Sequence, residues 1–384
     1  MTTIRTSNNP KMLTWAREEA GYTIEQAAEG LGISAENIEA AESDKRPLTL
    51  NQLRKAAEIY DCPFGYFYFL EPPHEKTYEP VPDYRIAPEL SGVSHHRLNL
   101  EIKKVRDRRE IYIDLAKNIN KEINTFQILK EPNTKNIGGA IRNRLKIVDS
   151  EISVLRYDKV YTYWKSKIEN DGILVYESQY IPDVSGVIGI AIYYPICPII
   201  LIRRGSSSNV RKLFTLLHEY AHLLIGKSGL SDETAQLIET SQTDKEVIET
   251  TCNRLASEIL VPSEKVIIPE YSTLSPEEKM EYLANKFMFT YSTAAVCLKK
   301  RNLITDAELR YLLELRRKAY KEKQKNKTGE VRIPRETLMR LDIGRPMFSV
   351  VVSAYERGIL DILDASKILN LRVNKIDKLV AGSI

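Results

Sequence analysis

Apolar and polar positions change rhythm several times along this chain of 384 residues. Over residues 8–70 the rhythm is helical and broken into short runs. Thr23 to Gly32 (TIEQAAEGLG) carries apolar residues at helical spacing and ends in glycine, which predicts a helix closed by a left-handed cap. Ile33 and Ser34 turn the chain, with Ser34 as the expected N-cap of a second helix running to about Ser43. Thr49 caps a further helix, Leu50 to Tyr60, and the aromatic residues Phe64, Tyr66, Phe67, Tyr68 and Phe69 close a small core. Helix, glycine turn and helix make a helix-turn-helix arrangement over residues 1–70.

Pro72, Pro73, Pro80, Pro82 and Pro88 then predict an extended linker over 71–97, because proline removes a backbone donor and fixes φ. Residues 98–149 read as linking helices, with a charged helix over 98–126. From about 150 the rhythm changes. Gly172 to Glu177, Gly186 to Tyr193 and Ile199 to Arg203 are rich in Ile, Val and Tyr and predict strands. Gly205 and Ser206 to Ser208 end the last one, and a helix follows from about Val210 to Ile225. Helical spacing dominates from Asp244 onward. Residues 306–333 read as a basic helix fraying into a polar linker, and 334–384 as a small helical unit of its own. No internal repeat is evident.

Composition narrows the class. The chain is 43% apolar and 28% charged, as expected of a soluble globular protein with two or three domains. Its longest apolar stretch, around Val187 to Ile202, is broken by Gly189, Pro195 and Pro198, which excludes a membrane span. The N-terminus lacks an apolar leader core. Cys62, Cys197, Cys252 and Cys297 form no CxxC pair and read as small buried residues in a reducing cytoplasm. Net charge is +4, unevenly spread. Residues 1–75 hold seven basic and twelve acidic residues, residues 101–146 twelve basic and six acidic, and residues 299–327 eleven basic and four acidic.

The strongest chemical signal is His218-Glu219-Tyr220-Ala221-His222, an HExxH motif on the expected helix. Residues four apart share a helix face, so both imidazoles can address one ion. Glu219 is rotated to the adjacent face, where it can take a proton from a water whose pKa zinc lowers to about 7. Ile225 and Ser228 exclude the HExxHxxGxxH extension. No histidine follows His222, so a downstream third ligand must be a carboxylate. On the next helix, about Asp244 to Leu260, Glu249 flanks the apolar face formed by Ile248, Cys252, Leu255 and Ile259, whereas Glu246 lies farther toward solvent. His95 and His96 are the upstream alternative.

LFTLLHEYAHLLI followed by IETTCNRLASEILVP resembles the ImmA/IrrE family of zinc metallopeptidases over roughly 150–305. In that pattern Glu249 takes the ligand glutamate position, Cys252 replaces alanine, Leu255 replaces phenylalanine, and Val261-Pro262 ends the run. Residues 12–70 resemble the XRE-type helix-turn-helix. The resemblance implies an α+β chain: an N-terminal all-helical domain, a central zincin-like domain with a small sheet and the HExxH helix, and a small C-terminal helical domain. It also implies one zinc ion, Glu219 as general base, and a cytoplasmic endopeptidase cleaving a repressor or antitoxin, with a toxin as a further candidate partner.

DNA is a second candidate partner, through Gln26, Ser34, Asn37, Lys45 and Arg46. The second helix of the motif, however, carries Glu36, Glu39 and Glu42 and no cation, and DNA affinity depends on neutralised phosphates. The rival reading from another class is therefore a DNA- or toxin-binding regulator or antitoxin with a structural or vestigial metal site. A structural site normally has four protein ligands rather than three and an open position.

Overall fold

The computed structural model describes residues 8–72, 92–181, 187–205, 209–227, 229–232, 244–262, 273–287, 291–325 and 335–380. The chain divides into two compact units, one built mainly on residues up to Pro80 and the other on Lys104–Gln179 and Val187–Ile384.

In the first unit, α1 (Pro10–Glu19), α2 (Ile24–Leu31), α3 (Ala35–Glu42) and α4 (Leu50–Ile59) surround Leu13, Ala27, Leu31, Ile38, Leu53 and Phe67. Thr23 and Thr49 cap α2 and α4 through reciprocal bonds with Gln26 and Gln52, satisfying donors that a helix start leaves orphaned. Gly32 closes α2 at φ 71°, where a side chain would be strained. Ser34 occupies the N-cap position of α3 but makes no capping bond; its hydroxyl instead accepts from the Asn37 side chain at 3.0 Å. Arg17 pairs with Glu42 at 2.7 Å, tying α1 to the end of α3. The aromatic run forms a short 3₁₀ helix, Phe64–Tyr68, with Phe67 in the core.

α5 (Gly92–Asn118) starts within the stretch expected as linker. No proline lies between Pro88 and Asn118, so nothing prevents the helix from extending back through His95 and His96. It also stops earlier than expected, at Asn118, with Asn120 in the left-handed region. The linker residues 73–91 lie outside the described residues.

The second unit continues with α6 (Ile137–Arg144), α7 (Asp149–Ser153) and α8 (Tyr157–Asn170). Its sheet consists of β1 (Leu174–Ser178), β2 (Val187–Ile192), β3 (Ile199–Arg203) and a fourth strand, β4 (Gly229–Asp232). The order is β1-β3-β2-β4. β1 and β3 pair in parallel, Leu174 opposite Ile199, while β2 is antiparallel to both β3 and β4. Every residue of β1, β2 and β3 is buried, the pattern of a sheet covered on both faces.

Between β3 and β4 runs α9 (Asn209–Leu224), which packs on β2 and β3. α10 (Asp244–Leu260) packs on α9 and α6. A Cβ on Gly138 of α6 would stand inside the Glu258 carbonyl of α10, so this helix pair meets backbone to backbone. α11 (Pro276–Phe287), α12 (Tyr291–Lys300) and α13 (Asp306–Lys325) follow. On the basic helix α13, Arg316 stacks 3.6 Å above Tyr291 and pairs with Glu281, and Leu312 is buried.

The C-terminal stretch comprises α14 (Arg335–Ile343), α15 (Arg345–Glu356), α16 (Ile362–Leu369) and α17 (Val373–Val380). Within this stretch α14 and α15 pack on β1, α16 packs on α15 and α17 on α16. Arg204 pairs with Asp342 at 2.6 Å, the Arg345 amide donates to Glu169, and a Cβ on Gly344 would lie 2.7 Å from the Val175 carbonyl oxygen.

Glu177 of β1 binds the layers together. It is buried and accepts from the Tyr161 hydroxyl at 3.1 Å and from Lys165 and Lys212 at 3.2 Å each. Burial alone would raise its pKa, but the two ammonium groups outweigh burial and hold the carboxyl below its ordinary value. Its ionised form therefore stabilises the fold at neutral pH, and that contribution is lost as pH falls below the ordinary carboxylate range. Glu177→Gln should cost about 3 kcal/mol in urea unfolding at neutral pH, because buried Lys165 and half-buried Lys212 lose their counter-charge. The gap between variant and wild type should narrow in acid; a gap independent of pH would contradict this assignment.

Candidate metal centre

The helix α9 is apolar almost all round. Leu213, Leu216, Leu217, Ala221, Leu223 and Leu224 are fully buried, which brings His218, Glu219 and His222 inside with them. Such a helix is held by packing rather than by propensity. Its turn at His218 and His222 meets the turn of α10 that carries Glu249. The two Nε2 atoms lie 3.1 Å apart, and they approach the Glu249 carboxylate at 3.2 and 3.4 Å. The three ligand atoms all fall within 4.8 Å of one another.

The donor set fits a divalent cation. Asn253 Oδ1 lies 3.0 Å from His218 Nδ1. As an amide oxygen it can only accept, so it keeps the proton on Nδ1 and leaves the Nε2 lone pair facing His222 and Glu249. Two imidazole nitrogens at 3.1 Å repel unless a proton or a cation lies between them. Burial would raise the Glu249 pKa, but with both histidines protonated their hydrogen bonds and charge override it and hold the carboxyl well below its ordinary value; a cation bound to the two Nε2 atoms would take over that role. Cys252, one turn further along α10, goes the other way: burial pushes its thiol well above its ordinary value, so it stays protonated.

Glu219 is also fully buried. It lies against β2 at Gly189, where a Cβ would stand 2.6 Å from both Glu219 Oε1 and Thr215 Cγ2. Gly189 is therefore required for the helix and sheet to approach this closely. On the opposite side of α9, the Tyr220 hydroxyl donates to Asp171 at 2.9 Å, and Asp171 also accepts from Arg144 at 2.9 Å. These bonds fix the rotation of the helix and take Tyr220 out of consideration as a group facing a substrate.

The structure thus brings His218, His222 and Glu249 together. Glu246 has no described side chain, and the side chains of His95 and His96 likewise lie outside the described residues. Asn253 and Gly189 had no assigned part in the site. The signal for Asn253 was its position four residues after Glu249 on one helix; for Gly189 it was a glycine inside an otherwise continuous apolar strand.

Residues 189–299 match the family model of peptidase M78, described as the IrrE N-terminal-like domain. Residues 13–67 match the model described as helix-turn-helix. The segment 189–299 is thus similar to an IrrE N-terminal-like domain. It opens at Gly189, against which Glu219 packs, and closes in α12. A search of curated proteins returned no match. No helix among the described residues is long and apolar enough to cross a membrane.

The candidate nucleic-acid contacts in the helix-turn-helix segment are largely engaged with one another. Arg46 donates to Asn37 at 3.1 Å and Asn37 to Ser34, while Gln26 is held in the cap of α2. Glu36, Glu39, Lys45 and Arg46 are exposed.

If Asn253 orients His218 in the IrrE N-terminal-like domain, Asn253→Ala should weaken zinc binding by roughly 10- to 100-fold in chelator competition. Unchanged affinity would contradict that part.

Proposed function

We propose that this chain is a zinc-dependent endopeptidase acting on a protein substrate, a helix-turn-helix repressor or antitoxin. One observation carries the reading: two imidazoles and an ionised carboxylate converge within 4.8 Å, with Glu219 buried beside them on the same helix. His218, His222 and Glu249 would hold the ion. Zinc bound there supplies Lewis acidity, lowering the pKa of a water to about 7 and polarising a carbonyl. Glu219 accepts the proton of the attacking water and returns it to the leaving amine as the peptide bond breaks. Asn253 keeps His218 in the tautomer that points Nε2 inward. The buried setting strengthens each electrostatic interaction by lowering the local dielectric.

Among the described residues the cluster comprises three protein groups, the donor set of catalytic rather than structural zinc sites. A regulatory substrate is supported by the presence of a helix-turn-helix segment and an IrrE N-terminal-like domain in one chain. The residual positive charge left by two neutral imidazoles and one carboxylate suits a substrate carbonyl.

The test incubates zinc-loaded protein with a small helix-turn-helix regulator encoded beside its gene. Discrete products should form with the wild type. Glu219→Gln should retain one zinc per chain and lower cleavage by at least about a thousandfold. Unimpaired cleavage by that variant would overturn the assignment of Glu219, and failure to bind zinc would overturn the reading as a whole.

A further inference from the structure

The C-terminal helices repeat the backbone of the N-terminal helix-turn-helix, position for position. α2 and α16 each have eight residues, and α3 and α17 each have eight. Between the members of each pair lie three residues. The first is left-handed in both, Gly32 at φ 71° and Asn370 at φ 50°. The hydrogen bonds repeat as well. Thr23 caps α2 by accepting from the amide of Gln26, and Asp361 caps α16 by accepting from that of Asp364. The Ile33 amide donates to the Ala28 carbonyl and that of Leu371 to Ser366; the Asn37 amide donates to Ser34 and that of Lys375 to Arg372.

Burial follows the same pattern. Ala27, Leu31 and Ile38 fill the core of the first unit, and Ala365, Leu369 and Ile376 are buried at the matching positions of the second. The approach from the preceding helix is similar but one residue longer in the C-terminal copy: Gly21 lies two residues before Thr23 and Gly358 three before Asp361, both with φ near 70°, and Tyr22 and Ile359 each donate back to the preceding helix. The left-handed cap, the alanine in the first helix and the buried isoleucine in the second are what let two short helices cross at close range.

The two copies differ on the outside. At its exposed positions the second helix of the N-terminal copy offers Glu36 and Glu39 and no cation, whereas the C-terminal copy begins Arg372-Val373-Asn374-Lys375. Arg372, Val373 and Asn374 are exposed. In a helix-turn-helix these N-terminal positions of the second helix are the ones that meet base edges. Arginine can donate two bonds to guanine, asparagine can pair with adenine, and an exposed valine can contact the thymine methyl.

We propose that α16 and α17 form a second helix-turn-helix and that double-stranded DNA is its ligand, read by α17 through Arg372, Asn374 and Lys375. The N-terminal copy, acidic on the corresponding face, is not the DNA-reading unit. This inference is independent of the peptidase reading.

Full-length protein is titrated against a fluorescein-labelled duplex of mixed sequence by fluorescence anisotropy, at about 50 and about 200 mM salt. Wild type should bind more weakly at the higher salt. Arg372→Ala combined with Lys375→Ala should weaken binding at low salt by roughly tenfold or more and lower the salt slope by about 2. Arg372→Ala alone, which changes an exposed side chain, should give a smaller loss in the same direction with an unchanged melting temperature. The proposal is overturned if wild type shows no salt-dependent binding, or if the double variant binds within twofold of wild type. A loss that follows Lys45→Ala with Arg46→Ala while the C-terminal double variant binds normally overturns it too, by assigning the contact to the first unit.

Discussion

Two histidines and two carboxylates share the buried interior between α9, α10 and β2, and most of what surrounds them follows from that constraint. Removing ionised groups from water costs several kcal/mol each unless partners return the energy. His218, His222 and Glu249 return part of it to one another across 3.1 to 3.4 Å. A divalent cation would return more, by turning two facing lone pairs and a carboxylate from a strained trio into a ligand set. The interior also demands accuracy. The Nε2 atoms converge only if α9 is held at one rotation and one height.

That position is fixed from three sides. Gly189 lets the helix sit close enough to β2 for Glu219 and Thr215 to fit. Tyr220, Asp171 and Arg144 lock the far side of the helix. Lys212, near its start, reaches Glu177 on β1, the strand on which α14 and α15 also pack. β1 and α14 to α17 lie outside the matched segment 189–299, yet β1 reaches α9 through a buried charge. The glycine contact at Gly138 does the same for α10 and hence for Glu249.

The sequence showed the site where its period was strong. HExxH lies in an unbroken apolar helix, and the run from Glu249 to Pro262 keeps helical spacing. It was less informative where local preference and tertiary packing disagree. α8 contains Val160, Tyr161, Tyr163 and Trp164, residues that favour strands, and becomes a helix by burying Trp164 and Ile168. β4, Gly-Leu-Ser-Asp, is too short and polar to announce itself and exists because β2 offers it an edge. The relation between Thr23–Ile38 and Asp361–Ile376 is faint in the sequence because only Ile24, Ala27, Leu31 and Ile38 recur as identical residues; the rest of the likeness resides in dihedral angles and amide bonds. Asn253 reads as an ordinary helix residue until His218 is seen beside it.

The account depends on one ion held by His218, His222 and Glu249 with a position left open. X-ray absorption at the zinc edge of the loaded protein measures this directly. Two nitrogen scatterers near about 2.0–2.1 Å, accompanied by oxygen and by no sulfur, are the predicted result. Absence of bound zinc, a sulfur shell near about 2.3 Å, or four protein ligands would contradict it.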